Sequence, residues 1–153
     1  MPGNLRKFVE SLLGSQRDLS FSTLEPGGYP QSIIASYAND GLSVFVCTKS
    51  HGHQVRNLSN CAKACVTVVS LEKDWGDVRG VTLRGSAAVL AGPSPAGRQA
   101  VELLQRKFPE SERLFRDAGA SLALIRFDPV AVVVLDHWDG IGFAELVEVD
   151  LGA

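Results

Sequence analysis

Three apolar segments joined by nothing longer than a tight turn constrain the fold of this chain most strongly. They cover residues 19–24, 31–38 and 42–48, and the first alternates apolar with polar positions as a half-buried strand does. Pro-Gly-Gly at 26–28 and Asn-Asp-Gly at 39–41 separate them, and both are strong turn signals. Strands with such short connections pair antiparallel, because a parallel pair needs a long crossover. The sequence therefore predicts an antiparallel meander.

The rest of the chain predicts further strands with helices between some of them. Strands are predicted over residues 64–71, 78–90, 122–138 and 143–149, and helices over residues 4–14, 50–58, 96–108 and 110–117. Gly80 and Gly85 are predicted bulge or corner points at which the sheet curls. Six or seven antiparallel strands favour a closed or nearly closed barrel, since closure removes exposed edges. We therefore predict a mainly β fold, an antiparallel β-barrel with peripheral helices, in a single domain over residues 1–153.

Composition excludes several classes of protein. The chain is 45% hydrophobic and 21% charged, which is typical of a globular domain. The net charge of -2 provides no long-range attraction to nucleic acid or acidic lipid, so we expect neither partner. No apolar run approaches the ~20 residues of a membrane span, and Glu10 and Ser11 interrupt any signal-peptide core. Three cysteines without framework spacing suit a reducing cytoplasm, so we expect a cytoplasmic location.

Polar and basic residues with hydroxyl, amine, imidazole and guanidinium groups lie at the end of the third strand and in the segment after it. Thr48, Lys49 and Ser50 end that strand, and a short predicted helix with Ser50 as its N-cap carries His53 and Arg56. Hydroxyls, cations and the free N–H groups of a helix start are the groups that bind a phosphate dianion. The alternative is a solvated turn in which Ser50 merely caps the helix. This junction is the strongest candidate in the sequence for a phosphate site.

The order of these segments resembles the pyridoxamine 5'-phosphate oxidase-like family, the FMN-binding split barrels. That family has a strand ending in threonine, a polar loop, a helix start with Arg-Asn-Leu, and an Asn-Pro-Arg-Ala-Ser-Leu-type entry to the next strand. Here Thr48, residues 49–53, 56–58 and 60–64 occupy those places in the same order. Residues 83–87 are similar to the family's Val-x-Gly-x-Ala strand.

The resemblance, which covers roughly residues 5–140, implies an FMN at a homodimer interface. It places Ser32 and Ile34 nearest the isoalloxazine, and Thr48 and Lys49 along the ribityl phosphate. The apolar segment 131–135 is a sensible contact between the two subunits. An FMN-dependent oxidoreductase acting on a small molecule is the function that follows from this resemblance.

One position pair departs from the family pattern. His53 and Gln54 occupy places where many members carry an arginine-lysine pair that grips the phosphate. Either the phosphate site is weaker here, or Lys49 and Arg56 supply the charge. Trp138 could stack on a flavin of the partner subunit, or pack in the core or a dimer contact. The predicted cofactor-binding residues are Ser32, Ile34, Thr48, Lys49, Ser50, His53, Gln54, Arg56, Asn57 and Trp138.

Two other functions remain open on the same scaffold. The tail over residues 137–149 looks like the branch of the family that includes haem-utilisation and flavin-binding stress proteins, so haem with one axial histidine is an alternative cofactor. His51, His53 and His137 are the candidate ligands. A non-catalytic flavin-binding stress protein is the second alternative. The cysteines have the wrong spacing for zinc, and the chain contains no Gly-x-Ser-x-Gly motif, so we predict no metal site and identify no catalytic residue.

Overall fold

The computed structural model describes residues 1, 3–70, 78–136 and 144–148, with no side-chain description for 136 and 144–148. The helices are α1 (Gly3–Ser15), α2 (His53–Asn60), α3 (Pro95–Lys107) and α4 (Ser111–Ala118), and a 3₁₀ turn covers Gly119–Ser121. The strands are β1 (Asp18–Leu24), β2 (Pro30–Asp40), β3 (Ser43–Lys49), β4 (Lys63–Ser70), β5 (Arg79–Leu90), β6 (Leu122–Asp136) and β7 (Ala144–Glu148). None of the described helices is both long and apolar enough to cross a membrane.

Six of the strands close into an antiparallel barrel. They follow the order β3-β2-β1-β4-β5-β6, and β6 pairs again with β3 to complete the ring, while β7 adds to β6. The tight turns predicted after β1 and β2 are present, with Gly28 and Gly41 at positive φ. These observations confirm the predicted mainly β split barrel with peripheral helices.

The barrel is split between β2 and β3. These strands pair only from Tyr37 opposite Val46 to Asp40 opposite Ser43. The first half of β2 then pairs with β1 alone, and the last residues of β3 pair with β6 alone. A wedge-shaped opening therefore lies between two neighbouring strands of one sheet.

Alternation along the strands fills the barrel with apolar side chains. In β1 the inward positions Leu19, Phe21 and Thr23 are buried, and Ser20 and Ser22 between them face outward. A second buried cluster lies outside the barrel, where α3 packs on β2, β3 and β6. Its members are Ala38, Phe45, Ala100, Leu104, Phe108 and Leu124. This second cluster fixes α3 and the start of α4 beside the split.

A β-bulge shapes β6 opposite Gly85. The register between β5 and β6 shifts between Arg84 and Gly85, which leaves Val130 as the extra residue of β6. A Cβ at Gly85 would collide with the carbonyl of Asp128 and would lie 2.7 Å from the Cα of Pro129. The sequence prediction of a bulge at Gly85 is thus confirmed, whereas Gly80 stays in regular register.

Candidate functional site

The opening between β2 and β3 forms a groove of about 590 Å³, called here the split groove. The last residues of α3 and the helix α4 cover one side of it. Its lining residues are Ile33, Ile34, Ala35, Ser36, Cys47, Thr48, Lys49, Leu104, Phe108, Glu110, Ser111, Leu114, Phe115 and Leu122. The volume lies within the range of small-molecule sites, and the lining is mainly apolar. Three residues predicted from the sequence, Ile34, Thr48 and Lys49, therefore meet in one groove.

Two polar groups of the split groove show how ligands would interact with it. The hydroxyl oxygen of Ser111 is buried and has no hydrogen-bond partner among the described residues. Burial raises the pKa of the Cys47 thiol to about 11, so this side chain is a neutral thiol near pH 7. The Ser111 oxygen is thus buried without a partner, and Cys47 provides no thiolate nucleophile.

The turn from β3 into α2 lies at the end of this groove. Gly52 donates its N–H to the carbonyl of Lys49 at 2.9 Å, and Ser50 donates its N–H to the carbonyl of Ser121 at 2.9 Å. The helix begins at His53 with Gly52 as its N-cap, so the prediction that Ser50 caps it is wrong. No side chain caps this helix, and the first N–H groups of any helix lack partners within it. Those N–H groups remain available to an anion.

Gly52 keeps the turn compact. A Cβ at this position would lie 3.0 Å from the carbonyl oxygen of Lys49 and 3.4 Å from Oγ1 of Thr48. Its φ of -71° is open to any residue, so close packing rather than backbone conformation favours glycine. The missing side chain leaves a small cradle between the end of β3 and the start of α2.

Three basic residues lie near this cradle in the chain. Lys49, His53 and Arg56 are exposed, and Nη2 of Arg56 lies 3.1 Å from Nδ1 of His53. A guanidinium can only donate, so Nδ1 accepts and the hydrogen of the neutral ring is on Nε2. His53 therefore presents an N–H donor to a ligand. Within the described part of the chain, neither Lys49 nor Arg56 forms an ion pair.

Asn57 lies on the opposite face of α2, against the barrel, whereas Oε1 of Gln54 would lie 3.5 Å from a Cβ at Gly52 and so borders the cradle. Asn57 is fully buried and donates from Nδ2 to Oγ1 of Thr23 at 3.0 Å and to Oε1 of Gln31 at 3.1 Å. Gln54 is 5% exposed. In this structure Asn57 anchors α2 to β1 and β2, and the exposed face of the helix carries His53 and Arg56.

The remaining predicted residues are separated from the cradle. Ser32 faces outward on β2, where its Oγ lies 2.6 Å from Oγ of Ser22 on β1. Ile34 on the same face of β2 is 76% exposed. Trp138 and the candidate haem ligand His137 lie outside the described residues.

A second concave surface was missed by the sequence reasoning. It has a volume of about 690 Å³ and is called here the basic groove. Its lining residues are Ser22, Thr23, Leu24, Pro30, Lys63, Ala64, Cys65, Arg84, Gly85, Val130 and Ala131. Lys63 and Arg84 occupy outward positions of β4 and β5, whose other residues are apolar or neutral apart from Arg79 at the start of β5. A cation at an outward position of each strand was the signal that the sequence offered. Only the pairing of the strands shows that the two cations lie close together.

Behind the split groove, a lysine packs on a buried tyrosine. Tyr37 donates from its hydroxyl to the carbonyl of Leu13 at 2.6 Å. Nζ of Lys107 lies 3.9 Å from the centre of the Tyr37 ring and donates to the same carbonyl at 3.2 Å. Burial, with a smaller effect of nearby Arg17, lowers the pKa of Lys107 to about 8. Burial also raises the pKa of Tyr37 above its ordinary value, so its phenol stays protonated.

The cysteines and histidines of the described residues do not assemble into a metal site. No group of three or more His, Cys, Asp or Glu side chains there lies close enough to hold a metal ion. Cys47, Cys61 and Cys65 are free and each is partly buried.

Comparisons with known proteins place this fold. The family model described as pyridoxamine 5'-phosphate oxidase matches residues 5–135. No protein of curated function matches the sequence.

Solved structures share the fold at low sequence identity. The chain is similar to a haem-binding protein from Mycobacterium smegmatis, with 17% identity and a TM-score of 0.79 over 97% of this chain and 59% of that one. It is similar to a Clostridium acetobutylicum protein related to general stress protein 26 of the pyridoxinephosphate oxidase family (16% identity, TM-score 0.73, 98% of each chain). It is also similar to the Vibrio cholerae haem storage protein HutZ (16% identity, TM-score 0.69, 80% of this chain and 88% of that one).

Proposed function

Since the chain belongs to the pyridoxamine 5'-phosphate oxidase family, we propose that it is a flavoprotein that binds FMN along the split groove. The phosphate would sit in the cradle at the start of α2, and the ring system would extend along β2 toward Ile34. The observation that carries this proposal is the contact between Arg56 and His53, 3.1 Å long, beside an uncapped helix start. It converts an imidazole into an oriented N–H donor where a dianion needs one.

The charge balance of the split groove supports a phosphate at one end only. Lys49, Arg56 and the His53 N–H surround the cradle, and the N–H groups of the first turn of α2 add partial positive charge. Toward the other end, the groove lining is apolar apart from Ser36, Glu110 and the unpartnered hydroxyl of Ser111. A ligand with a charged head and a flat, largely apolar body matches this distribution.

The exposure of Ile34 supports a homodimer. A large apolar side chain that is 76% exposed beside a ligand groove favours a partner surface over it. We propose that a second copy of the chain covers Ile34 and completes the ring-binding part of the site. The proposed partners are therefore a second subunit and a small-molecule substrate or electron donor.

The chemistry of the proposed enzyme comes from the cofactor. Bound FMN supplies hydride or single-electron transfer, and the residues described here bind and orient it. Lys49, His53 and Arg56 hold the phosphate, the compact turn at Gly52 sets its distance from β3, and apolar residues of α4 exclude water. We propose an oxidoreductase acting on a small molecule; a flavin carrier without turnover would use the same contacts.

Titration of the purified protein with FMN tests this proposal. We expect flavin fluorescence to be quenched on binding, and the Lys49→Ala/Arg56→Ala variant to bind at least tenfold more weakly, because a dianion loses two cations. Lys63→Ala/Arg84→Ala is the matched control, since it also removes one lysine and one arginine from exposed positions. An equal loss of affinity in both double variants, or in neither, would place the phosphate elsewhere.

Haem is the second candidate cofactor. Two of the similar structures are described as a haem-binding protein and a haem storage protein, and His51 and His53 are exposed at the end of the split groove. His51 is the better candidate ligand, because Nδ1 of His53 already accepts from Arg56. Addition of haem to the apoprotein would give a sharpened Soret band that His51→Ala abolishes. A Soret band that His51→Ala leaves unchanged would exclude this axial ligand.

A further inference from the structure

We propose that the side-chain amine of Lys107, behind the split groove, is a site of reversible carbamate formation with carbon dioxide. Lys107 is the last residue of α3 and is half-buried. Among the residues that the structure describes, no carboxylate forms an ion pair with it. The site lies beyond the proposed FMN site, since Lys107 does not line the split groove. Two features support the proposal: the contacts that hold the amine and the cation beside it.

Contacts with Tyr37 and Leu13 hold the amine in place. Nζ of Lys107 lies 3.9 Å from the centre of the Tyr37 ring and donates to the carbonyl of Leu13 at 3.2 Å. The Tyr37 hydroxyl donates to the same carbonyl at 2.6 Å, and its raised pKa keeps the phenol protonated. A carbamate nitrogen retains one N–H, so the modified side chain can still donate to Leu13. The cation–π contact is lost on modification, but the neutral amine lacks it as well.

Arg17 is the cation beside Lys107. Its Cζ lies 4.6 Å from the centre of the Phe108 ring, and Nζ of Lys107 lies 6.0 Å from the centre of the same ring. Tyr37 also donates its backbone N–H to the carbonyl of Arg17 at 3.2 Å. Two neighbouring cations repel each other, whereas a carbamate carries one negative charge. Carbamate formation therefore replaces this repulsion by attraction, and a guanidinium can bind both carbamate oxygens at once.

The surroundings of Lys107 favour its neutral form. Burial and, to a smaller extent, Arg17 lower the pKa of Lys107 to about 8, while Asp18 acts in the opposite direction. The two carboxylates on this side of the molecule have other partners. Asp18 accepts from Oγ of Ser36 at 2.6 Å, and Glu110 pairs with Arg17 at 3.0 Å. At pH 8 a large share of Lys107 is therefore an uncharged amine, unlike an ordinary exposed lysine.

The neutral amine is the form that reacts with carbon dioxide. Its lone pair attacks the carbon atom, a C–N bond forms, and one C=O bond of carbon dioxide opens to give a C–O⁻ group. The nitrogen then releases one proton to solvent, and no oxidant, reductant or second substrate is needed. Because Lys107 is only half-buried, carbon dioxide can reach it from solvent. The product is an anion at the end of α3, next to Phe108 of the split groove.

Carbon-13 NMR of the full chain with ¹³C-labelled carbon dioxide tests this proposal. We expect a protein carbamate signal that saturates with carbon dioxide and that grows as the pH rises through about 8 at constant dissolved carbon dioxide. Lys107→Arg should remove this signal, and Lys107→Met is a second variant if the first does not fold. The α-amino group of Met1 can also form a carbamate, whose signal should remain in both variants. Lys63→Arg is the matched control and should leave the Lys107 signal unchanged, because Lys63 is exposed.

Arg17→Gln distinguishes a stabilised carbamate from a merely reactive amine. The affinity of the neutral amine for carbon dioxide, corrected with the measured pH dependence, should fall at least threefold, because the anion loses its guanidinium partner. Arg113→Gln, which also removes an exposed ion pair, should leave that affinity unchanged. The proposal is overturned by a signal from the amino terminus alone, by a signal that survives both Lys107 variants, or by equal affinities in the two arginine variants. The experiment contains no flavin, so its failure leaves the proposed function standing, and failure of FMN to bind leaves this inference standing.

Discussion

The split groove and the basic groove arise from two different irregularities of the same barrel. At the split groove, β2 and β3 separate beyond the pair Tyr37–Val46, that is, before Tyr37 in β2 and after Val46 in β3. Helix α4 covers the opening. At the basic groove, the strands stay paired and an extra residue in β6 bends the sheet beside Gly85. An antiparallel barrel can thus make a concave surface either by separating two strands or by bulging one.

The two grooves also differ in how charge is arranged. In the split groove the cations gather at one end, around the start of a helix, and the rest of the lining is mainly apolar. In the basic groove Lys63 and Arg84 stand on the sheet itself, with no helix near them in the lining. Each groove has one lysine and one arginine that can be substituted together, so the two double variants test the two grooves separately.

Substitution at the bulge should have the largest effect on stability. Gly85→Ala places a Cβ against the carbonyl of Asp128 and 2.7 Å from the Cα of Pro129, both backbone atoms that cannot rotate away. We expect the free energy of unfolding in urea to fall by about 2–3 kcal/mol. Gly92→Ala, where no atom lies within 4 Å of the new Cβ, is the control and should be nearly neutral. Equal stability of the two variants would show that the bulge is not fixed by Gly85.

The side chain of Asn57 connects the two grooves. It hydrogen bonds Thr23, which lines the basic groove, and it holds α2, whose first residues surround the phosphate cradle. Asn57→Ala should lower the free energy of unfolding by about 2 kcal/mol, because it leaves Thr23 and Gln31 without this buried donor. Asn60→Ala, on the exposed end of the same helix, should cost less. FMN affinity should also fall in the Asn57 variant alone, because Asn57 holds α2 against the barrel; equal FMN affinity of the two variants would show that this residue does not position the helix.

Local patterns in the sequence were sufficient for most of the fold. Tight turns at 26–28 and 39–41 and alternating strands predicted the meander, and Gly85 predicted the bulge. The start of α2 was placed too early because Ser50 is a favoured N-cap residue. In the structure its N–H instead pairs with Ser121, 71 residues further along the chain, and the helix begins after Gly52. A hydrogen-bond partner so far along the chain leaves no signal in the sequence around Ser50.

The candidate sites could be predicted only in part for the same reason. Ile34, Thr48 and Lys49 line one groove and Ser32 does not, while His53 and Arg56 meet at the helix start. Asn57 is buried because of Thr23 and Gln31, which belong to other strands. The basic groove depends on pairing between β4, β5 and β6, so no single segment of the sequence reveals it.

Substitution in the cradle should affect ligand binding more than stability. Gly52→Ala adds a Cβ 3.0 Å from the carbonyl oxygen of Lys49, and the turn must widen slightly. The backbone conformation itself suits alanine, which offsets part of this cost through the unfolded state. We expect FMN affinity to fall about fivefold, which corresponds to about 1 kcal/mol, with little change in the free energy of unfolding. Gly92→Ala, where no atom lies within 4 Å of the new Cβ, is the control and should leave FMN affinity unchanged; equal FMN affinity of the two variants would show that the turn at Gly52 does not border the phosphate.

The smallest predicted effect is a pH dependence that originates behind the split groove. The pKa of Lys107 is about 8 in the folded chain, against 10.5 for an ordinary exposed lysine, so between these values only the unfolded chain keeps the proton. The contribution of Lys107 to the free energy of unfolding therefore rises as the pH increases from about 8 to 10.5. Because the side chain is partly exposed, we expect less than about 1 kcal/mol.

Comparison of the native chain with Lys107→Met isolates this contribution. Tyr37 and Cys47 have raised pKa values and act in the opposite direction at higher pH, but they are present in both proteins. The difference in the free energy of unfolding between the two proteins should shift in favour of the native chain from about pH 8 to about pH 10.5, since in this range Lys107 has lost its proton in the folded chain but keeps it in the unfolded chain, and the variant has no amine at this position. A constant difference across this range would mean that Lys107 keeps its charge on the Tyr37 ring, and that the interior behind the split groove is as well solvated as the sheet that carries the basic groove.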